Sequence, residues 1–171
     1  MNELPLHPKL VHLPMALAVL MPLLASGVLV AVARGCFARR VWVLVVAAQA
    51  LLFASGLLAM RSGEGDEDRV ERVVPESAIE THEDAAGPFV WASGAVLLLL
   101  CLPLLLRNPG LGRITGIGAC AGTLVVLALG WRVGQSGGEL VWRHGAATAY
   151  AMAGPAGLPA PKPERERDDD R

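Results

Sequence analysis

The sequence predicts an all-α integral membrane protein: a four-helix up-and-down bundle, an acidic, amphipathic loop helix between the second and third spans, and a disordered carboxyl-terminal tail. Three observations predict it. The chain of 171 residues is 53% hydrophobic and 18% charged, with a mean hydropathy of +0.46, more apolar than soluble domains of this length. The apolar residues fall into four runs, each long enough to cross about 30 Å of hydrocarbon as a helix. The net charge of −1 conceals a sharp segregation, because the runs are almost free of charge and the charges crowd between them.

The expected spans are about 11–33, 41–60, 89–106 and 114–134, within a domain of residues 1–146. Lipid offers no hydrogen-bond partners, so a spanning backbone closes its own bonds as helix. The runs lack the polar–apolar alternation of barrel strands. The first run also has the look of a signal-peptide core, but its amino-terminal flank is weak, with Glu3 offsetting Lys9, and it is too long. A retained span is expected. Pro22 removes a backbone donor in mid-span and predicts a kink. Residues 34–40 and 107–113 are short links, which force antiparallel neighbours.

Those two links hold Arg34, Arg39, Arg40, Arg107 and Arg113 and no acid. All sixteen Asp and Glu lie elsewhere. The positive-inside rule therefore puts the arginine links in the cytoplasm and both termini on the periplasmic side of a bacterial inner membrane. In the long connection 61–88, Pro75, Glu76 and Ser77 read as a helix start. A helix from about Glu76 through His82 is expected to lead into the third span, with Pro88 bending it at the membrane surface. Trp42, Trp91, Trp131 and Trp142 fall near run ends, where amphipathic rings favour the interface.

The fourth span is glycine-rich. Gly112/Gly116 and Gly118/Gly122 are small-xxx-small pairs that let helices, or a second copy or partner chain, approach closely. Gly130, Gly134 and Gly138 make a second stripe, either for tight helix packing or as a flat groove for a planar ligand. Residues 147–171 become Ala/Gly-rich and then charged, with little to bury.

The candidate site follows from parity. The only histidines are His7, His12, His82 and His144. An even number of crossings separates each group from the next, so all four lie on the non-arginine face. Glu64, Asp68, Glu71, Glu80, Glu83 and Asp84 lie near them. Imidazoles with carboxylates suit a transition metal such as Zn, Cu or Fe, and paired imidazoles suit haem b. Structural anchoring by the same side chains stays open, and so does a scaffold or accessory subunit with no cofactor. The metal candidates are the four histidines with Glu71, Glu80 and Glu83. For haem they are the histidines with Gly130, Gly134 and Gly138.

Several classes are set aside. Cys36, Cys101 and Cys120 form no CxxC or CxxCH, which removes c-type haem attachment and zinc-ribbon sites. No HExxH occurs, since His82-Glu83 is followed by Asp84-Ala85-Ala86. No basic stripe suits nucleic acid. Gln49 is the one strongly polar midplane group, which argues against a proton-coupled transporter. No substrate is named by any motif, and no catalytic residue is assigned.

The start His7-Pro-x-x-Val-His12-x-Pro14 resembles that of an uncharacterised bacterial family of four-span membrane proteins, a domain of unknown function. Ser55-Gly56, Ile79-x-x-His82-Glu83-x-x-Ala86 and Gly137-Gly138-Glu-Leu-Val-Trp-Arg-His144-Gly145 extend the likeness over about residues 5–146. Leu13 and Trp142 are mild departures from its pattern. The resemblance implies a bacterial integral membrane protein. Members of that family are sometimes joined to Rieske or c-type cytochrome modules, which implies a place near respiratory electron transfer.

Overall fold

The computed structural model describes residues 6–65 and 67–151. Within them the chain is helical, and four helices are long and apolar enough to cross a membrane. A short helix α1 (Leu6–Leu10) runs almost directly into α2 (His12–Ala33). The helical ladder carries over the junction, with Val11 N–H to the His7 carbonyl at 3.2 Å and Met15 N–H to the Val11 carbonyl at 3.3 Å. Then come α3 (Trp42–Glu64), α4 (Glu67–Val70), α5 (Glu76–Leu105), α6 (Pro109–Trp142) and α7 (Ala146–Ala151).

The ends are set by local chemistry. α2 stops at Gly35, whose φ of +75° suits a residue without Cβ. There Cys36 N–H reaches the Ala31 carbonyl at 2.9 Å and Gly35 N–H the Val32 carbonyl at 3.1 Å. α6 starts on Asn108, whose side chain accepts from Gly110 N–H at 2.9 Å and Leu111 N–H at 3.3 Å, with Pro109 at the first helical position. Arg39 of the first link donates to the Leu106 and Leu104 carbonyls at 2.8 and 3.3 Å, a cation closing the carboxyl end of α5.

The helices form two antiparallel hairpins, α2–α3 and α5–α6. Each of α2 and α5 packs on both α3 and α6. The core between them holds Met21, Val45, Leu52, Leu100, Ala119 and Val126. The outer faces are apolar: Leu23 and Leu98 are 71% exposed and Ile114 66%. In water such a surface would be unstable, and in lipid it is the contact surface. Glycines set the close approaches. A Cβ at Gly122 would lie 2.7 Å from Val96 Cγ2, and one at Gly116 3.0 Å from Leu29 Cδ1. Gly118 faces open space, so only one member of the Gly118/Gly122 pair is a packing glycine.

The elements run longer than the apolar runs alone foretell. α5 has 30 residues and α6 has 34, about 45 and 51 Å at a rise of 1.5 Å per residue. Hydrocarbon takes about 30 Å. The charged start of α5, residues 76–87, and the end of α6 therefore project beyond it together at the acidic end. α5 continues as helix through Pro88, the expected point of bending. The missing N–H would have reached the carbonyl of the exposed Asp84, which water can satisfy. Trp42 is not interfacial: it is 2% exposed and donates Nε1–H to the Leu100 carbonyl at 2.8 Å. Trp91, Trp131 and Trp142 are exposed. Gln49 is fully buried, and its Nε2 donates to the Ser93 carbonyl at 2.9 Å. Helix α7 extends order past residue 146, because Ala146 packs with Val74 and Ile79 in a small second core. The tail beyond Ala151 lies outside the described residues.

Two outcomes are expected. A membrane-impermeant maleimide will label native Cys36 from one face and a Ser77→Cys variant from the other. Gly122→Val will destabilise the bundle in detergent by about 1–3 kcal/mol through overpacking on Val96, while Gly118→Ala will change it little, as read by chemical denaturation.

Candidate functional site: a histidine pair at the acidic end

The start of each hairpin's first helix meets the end of its second. His7, on α1, is half-buried against the last turns of α3. Its Nδ1 lies 2.9 Å from the Ala59 carbonyl oxygen and 3.1 Å from Ser62 Oγ. A carbonyl only accepts, so Nδ1 carries the proton. Ser62 Oγ–H donates to the Ala59 carbonyl at 2.7 Å, which leaves its oxygen as a second acceptor. His82, in the projecting part of α5, is also half-buried. Its Nδ1 lies 2.9 Å from Ser136 Oγ on α6, and Ser136 Oγ–H is committed to the Val133 carbonyl at 3.1 Å. Nδ1 of His82 is therefore again the donor. In both neutral rings the Nε2 lone pair is left over.

Glycines permit this seating. A Cβ at Gly63 would lie 3.2 Å from His7 Cε1, and one at Gly137 would lie 3.1 Å from His82 Cε1. The two rings meet in a T-shaped, edge-type contact, with centroids 6.5 Å apart and planes at 87°. Burial, and next the neighbouring His7, hold His82 below its ordinary pKa of 6.5, with a hydrogen bond to the Val133 carbonyl opposing them. His82 is thus neutral at pH 7. Its folded value lies below its unfolded one. The stability linked to the neutral ring is full above pH 6.5 and is lost as pH falls through the folded value. Nearby, partial desolvation and then Glu67, Glu64, Asp84 and Glu80 push the Glu83 carboxyl up.

The other expected members stand apart. His12 is exposed on the first turn of α2. His144 is half-buried between α6 and α7, where its backbone N–H meets the Glu139 carbonyl at 3.3 Å. Glu71, Glu80 and Glu83 are exposed. Among the described residues no group of three or more His, Cys, Asp or Glu could hold a metal ion. The four-histidine cluster thus reduces to a pair, because sharing a face is a weaker condition than sharing a helix contact. The glycine stripe is packing where it is deepest: a Cβ at Gly130 would meet Phe89 at 3.2 Å and Ala18 at 3.6 Å, and one at Gly134 would meet Met15 at 3.0 Å. Gly138 faces open space. Ser62, Gly63 and Ser136 escaped the sequence reading, and Gly137 entered it only within the motif that ends at His144-Gly145. Their signal is a repeated Ser-Gly, seven residues after Gly56-Leu57's glycine in one hairpin and after Gly130 in the other when counted to the second glycine.

The family described as Predicted membrane protein (DUF2231) matches residues 3–150. The chain belongs to that family. The DUF2231 match spans both hairpins, the histidine pair and α7 almost to its end. Neither a curated protein nor a solved structure matches the chain.

A titration followed by histidine ring NMR in micelles will place His82 below 6.5. His7→Gln will move it upward, since that substitution removes the positive neighbour.

Proposed function

We propose that this membrane protein holds a transition-metal ion between His7 and His82, at the non-cytoplasmic face of a bacterial inner membrane. One observation carries the reading. Both imidazoles are fixed through Nδ1–H to an oxygen on the neighbouring helix, which is how proteins orient metal-binding histidines while leaving Nε2 to the metal. The low proton affinity of His82 favours the form that coordinates. The arginine-rich links at the opposite end support the orientation. The family resemblance, which implies a place beside Rieske or c-type cytochrome modules, is what supports a setting near electron transfer.

An ion fits better than haem b. A macrocycle lying along the glycine stripe would compete with Phe89, Ala18 and Met15, which already occupy Gly130 and Gly134. A second reading has its own support: the same hydrogen bonds tie α1 to α3 and α5 to α6, so the rings serve as struts in a scaffold subunit without a cofactor.

Elemental analysis of the detergent-purified chain decides between them. The metal reading expects about one Cu, Zn or Fe per chain, no Soret band, loss of the metal in His7→Ala and His82→Ala, and retention in His12→Ala and His144→Ala. Metal content that is absent, or indifferent to His7 and His82, overturns it in favour of the struts.

A further inference from the structure

The two hairpins match in what they bury. A shift of 75 residues carries the buried Pro14, Ala18, Met21 and Ala25 of α2 onto the buried Phe89, Ser93, Val96 and Leu100 of α5, and His7 onto His82. A shift of 74 carries Trp42, Val45, Gln49, Leu52 and Gly56 of α3 onto Gly116, Ala119, Thr123, Val126 and Gly130 of α6, again buried throughout. The hairpins differ on the outer face at their open ends. In the second, the start of α5 and the end of α6 leave a cleft of about 180 Å³, lined by Thr81, Ala85, Arg132, Gln135, Ser136 and Glu139. The matching places of the first hairpin hold Leu10 for Ala85, Leu58 for Arg132 and Gly65 for Glu139. The cleft stands at the edge of the hydrocarbon. A Cβ at Gly130 would meet Phe89, and one at Gly137 would meet His82. That register puts Arg132 level with Gly87, two residues outside the apolar run that begins at Phe89. Trp131 and Trp91, 69% and 71% exposed, stand just inward of that level, as amphipathic rings do at a headgroup layer. Further inward, the exposed Ala95 and Leu99 on α5, and Ala128 and Val125 on α6, continue the two walls in helical steps as an apolar track.

We infer that this cleft seats an anionic phospholipid of the adjoining leaflet, with its phosphodiester on Arg132 and Gln135. The polar atoms of the cleft are already sorted by what they hold. Thr81 Oγ1–H donates to the Ser77 carbonyl at 2.7 Å, and Ser136 Oγ–H to the Val133 carbonyl at 3.1 Å. Glu139 is paired with Arg143 at 3.6 Å. Arg132 has no ion pair among the described residues. It shares a helix face with Gln135, three residues on. The unspent donors of the cleft are therefore a guanidinium and an amide, and its one unpaired charge is positive. A phosphatidylglycerol carries one negative charge. Its two non-bridging phosphate oxygens suit the planar fork of an arginine. The acceptor oxygens of Thr81, Gln135 and Glu139 suit the hydroxyls of its glycerol headgroup. Its acyl chain has the apolar track, which a free phosphate would leave bare. In the first hairpin Leu58 stands where Arg132 would be needed, so one lipid per chain is the stoichiometry. Nothing in the cleft depends on an ion at the histidine pair.

The test uses the full chain, released from nanodiscs of equimolar phosphatidylglycerol and phosphatidylethanolamine and read by native mass spectrometry for the lipid it retains. One phosphatidylglycerol per chain is expected. Arg132→Leu should lower its retention by about 10-fold or more, the worth of a hydrogen-bonded charge. Arg132→Lys, which keeps the charge and loses the fork, should fall between that variant and the parent. Arg61→Gln, on the same face of the membrane in the first hairpin, should retain lipid as the parent does. Circular dichroism and size-exclusion profiles matching the parent confirm that the variants are folded. Retention that is equal in the parent and in Arg132→Leu would overturn the site. A preference for phosphatidylethanolamine would overturn the charge match. Displacement of the lipid by excess inorganic phosphate would make the cleft a free-phosphate site and overturn the lipid.

Discussion

Hydrocarbon cannot hydrogen-bond, and the rest of the structure depends on that constraint. A backbone entering lipid must leave it as closed helix, so the chain has only crossings and turnings to arrange. Two tight turns at the arginine end make two hairpins. Both hairpins then open toward the same end, and every residue that starts a first helix lies beside one that finishes a second. His7 beside Ser62, and His82 beside Ser136, are consequences of that geometry. Charge follows the same division in one respect, since the two turns carry Arg34, Arg39, Arg40, Arg107 and Arg113 and no Asp or Glu.

Inside the bundle lipid exclusion gives no selectivity, because core and solvent are equally apolar. Specificity comes instead from shape and from a few buried polar atoms. Val96 fits against Gly122, and Leu29 against Gly116. Trp42 and Gln49 reach across to the Leu100 and Ser93 carbonyls of α5. These four contacts join α5 to α6, α2 to α6 and α3 to α5, so the hairpins cannot slide past each other without losing them. Gln49 Oε1 is buried without a partner among the described residues. Such a group costs about 1–3 kcal/mol, and the strain falls at the mid-depth of the bundle, where Thr123 stands at the equivalent position of the other hairpin.

The spans were legible in the sequence because apolar length is a direct record of bilayer thickness. Their ends were not, because the projecting parts of α5 and α6 are stabilised by each other and carry mixed polarity. At Pro88 the helix continues, because in an exposed projecting turn the freed Asp84 carbonyl is open to water. The shared face of the histidines was legible from parity alone. Which two would touch was not. That depends on Gly63 and Gly137 lying flush beneath the rings, and a glycine in a sequence does not announce what it makes room for. The likeness of the two hairpins was hidden because it lies in burial and not in residue type: Met21 answers to Val96, Gln49 to Thr123 and Trp42 to Gly116, each of them buried.

Equivalence of the hairpins bears on why four histidines resolve into two. His7 and His82 stand at matching places in the two hairpins, 75 residues apart, and their rings meet. His12 corresponds to Gly87, and His144 corresponds to Val70. Neither has a counterpart ring, and neither has a side-chain hydrogen bond among the described residues. Each of the two rings is oriented by hydrogen bonds inside its own hairpin. The Nδ1 hydrogen bonds lie within a hairpin, whereas the ring-to-ring approach lies between hairpins. Orientation of each ring and approach of the pair therefore rest on separate contacts, and a substitution that loosens the hairpin contact at Gly122 should part the rings without releasing either from its serine.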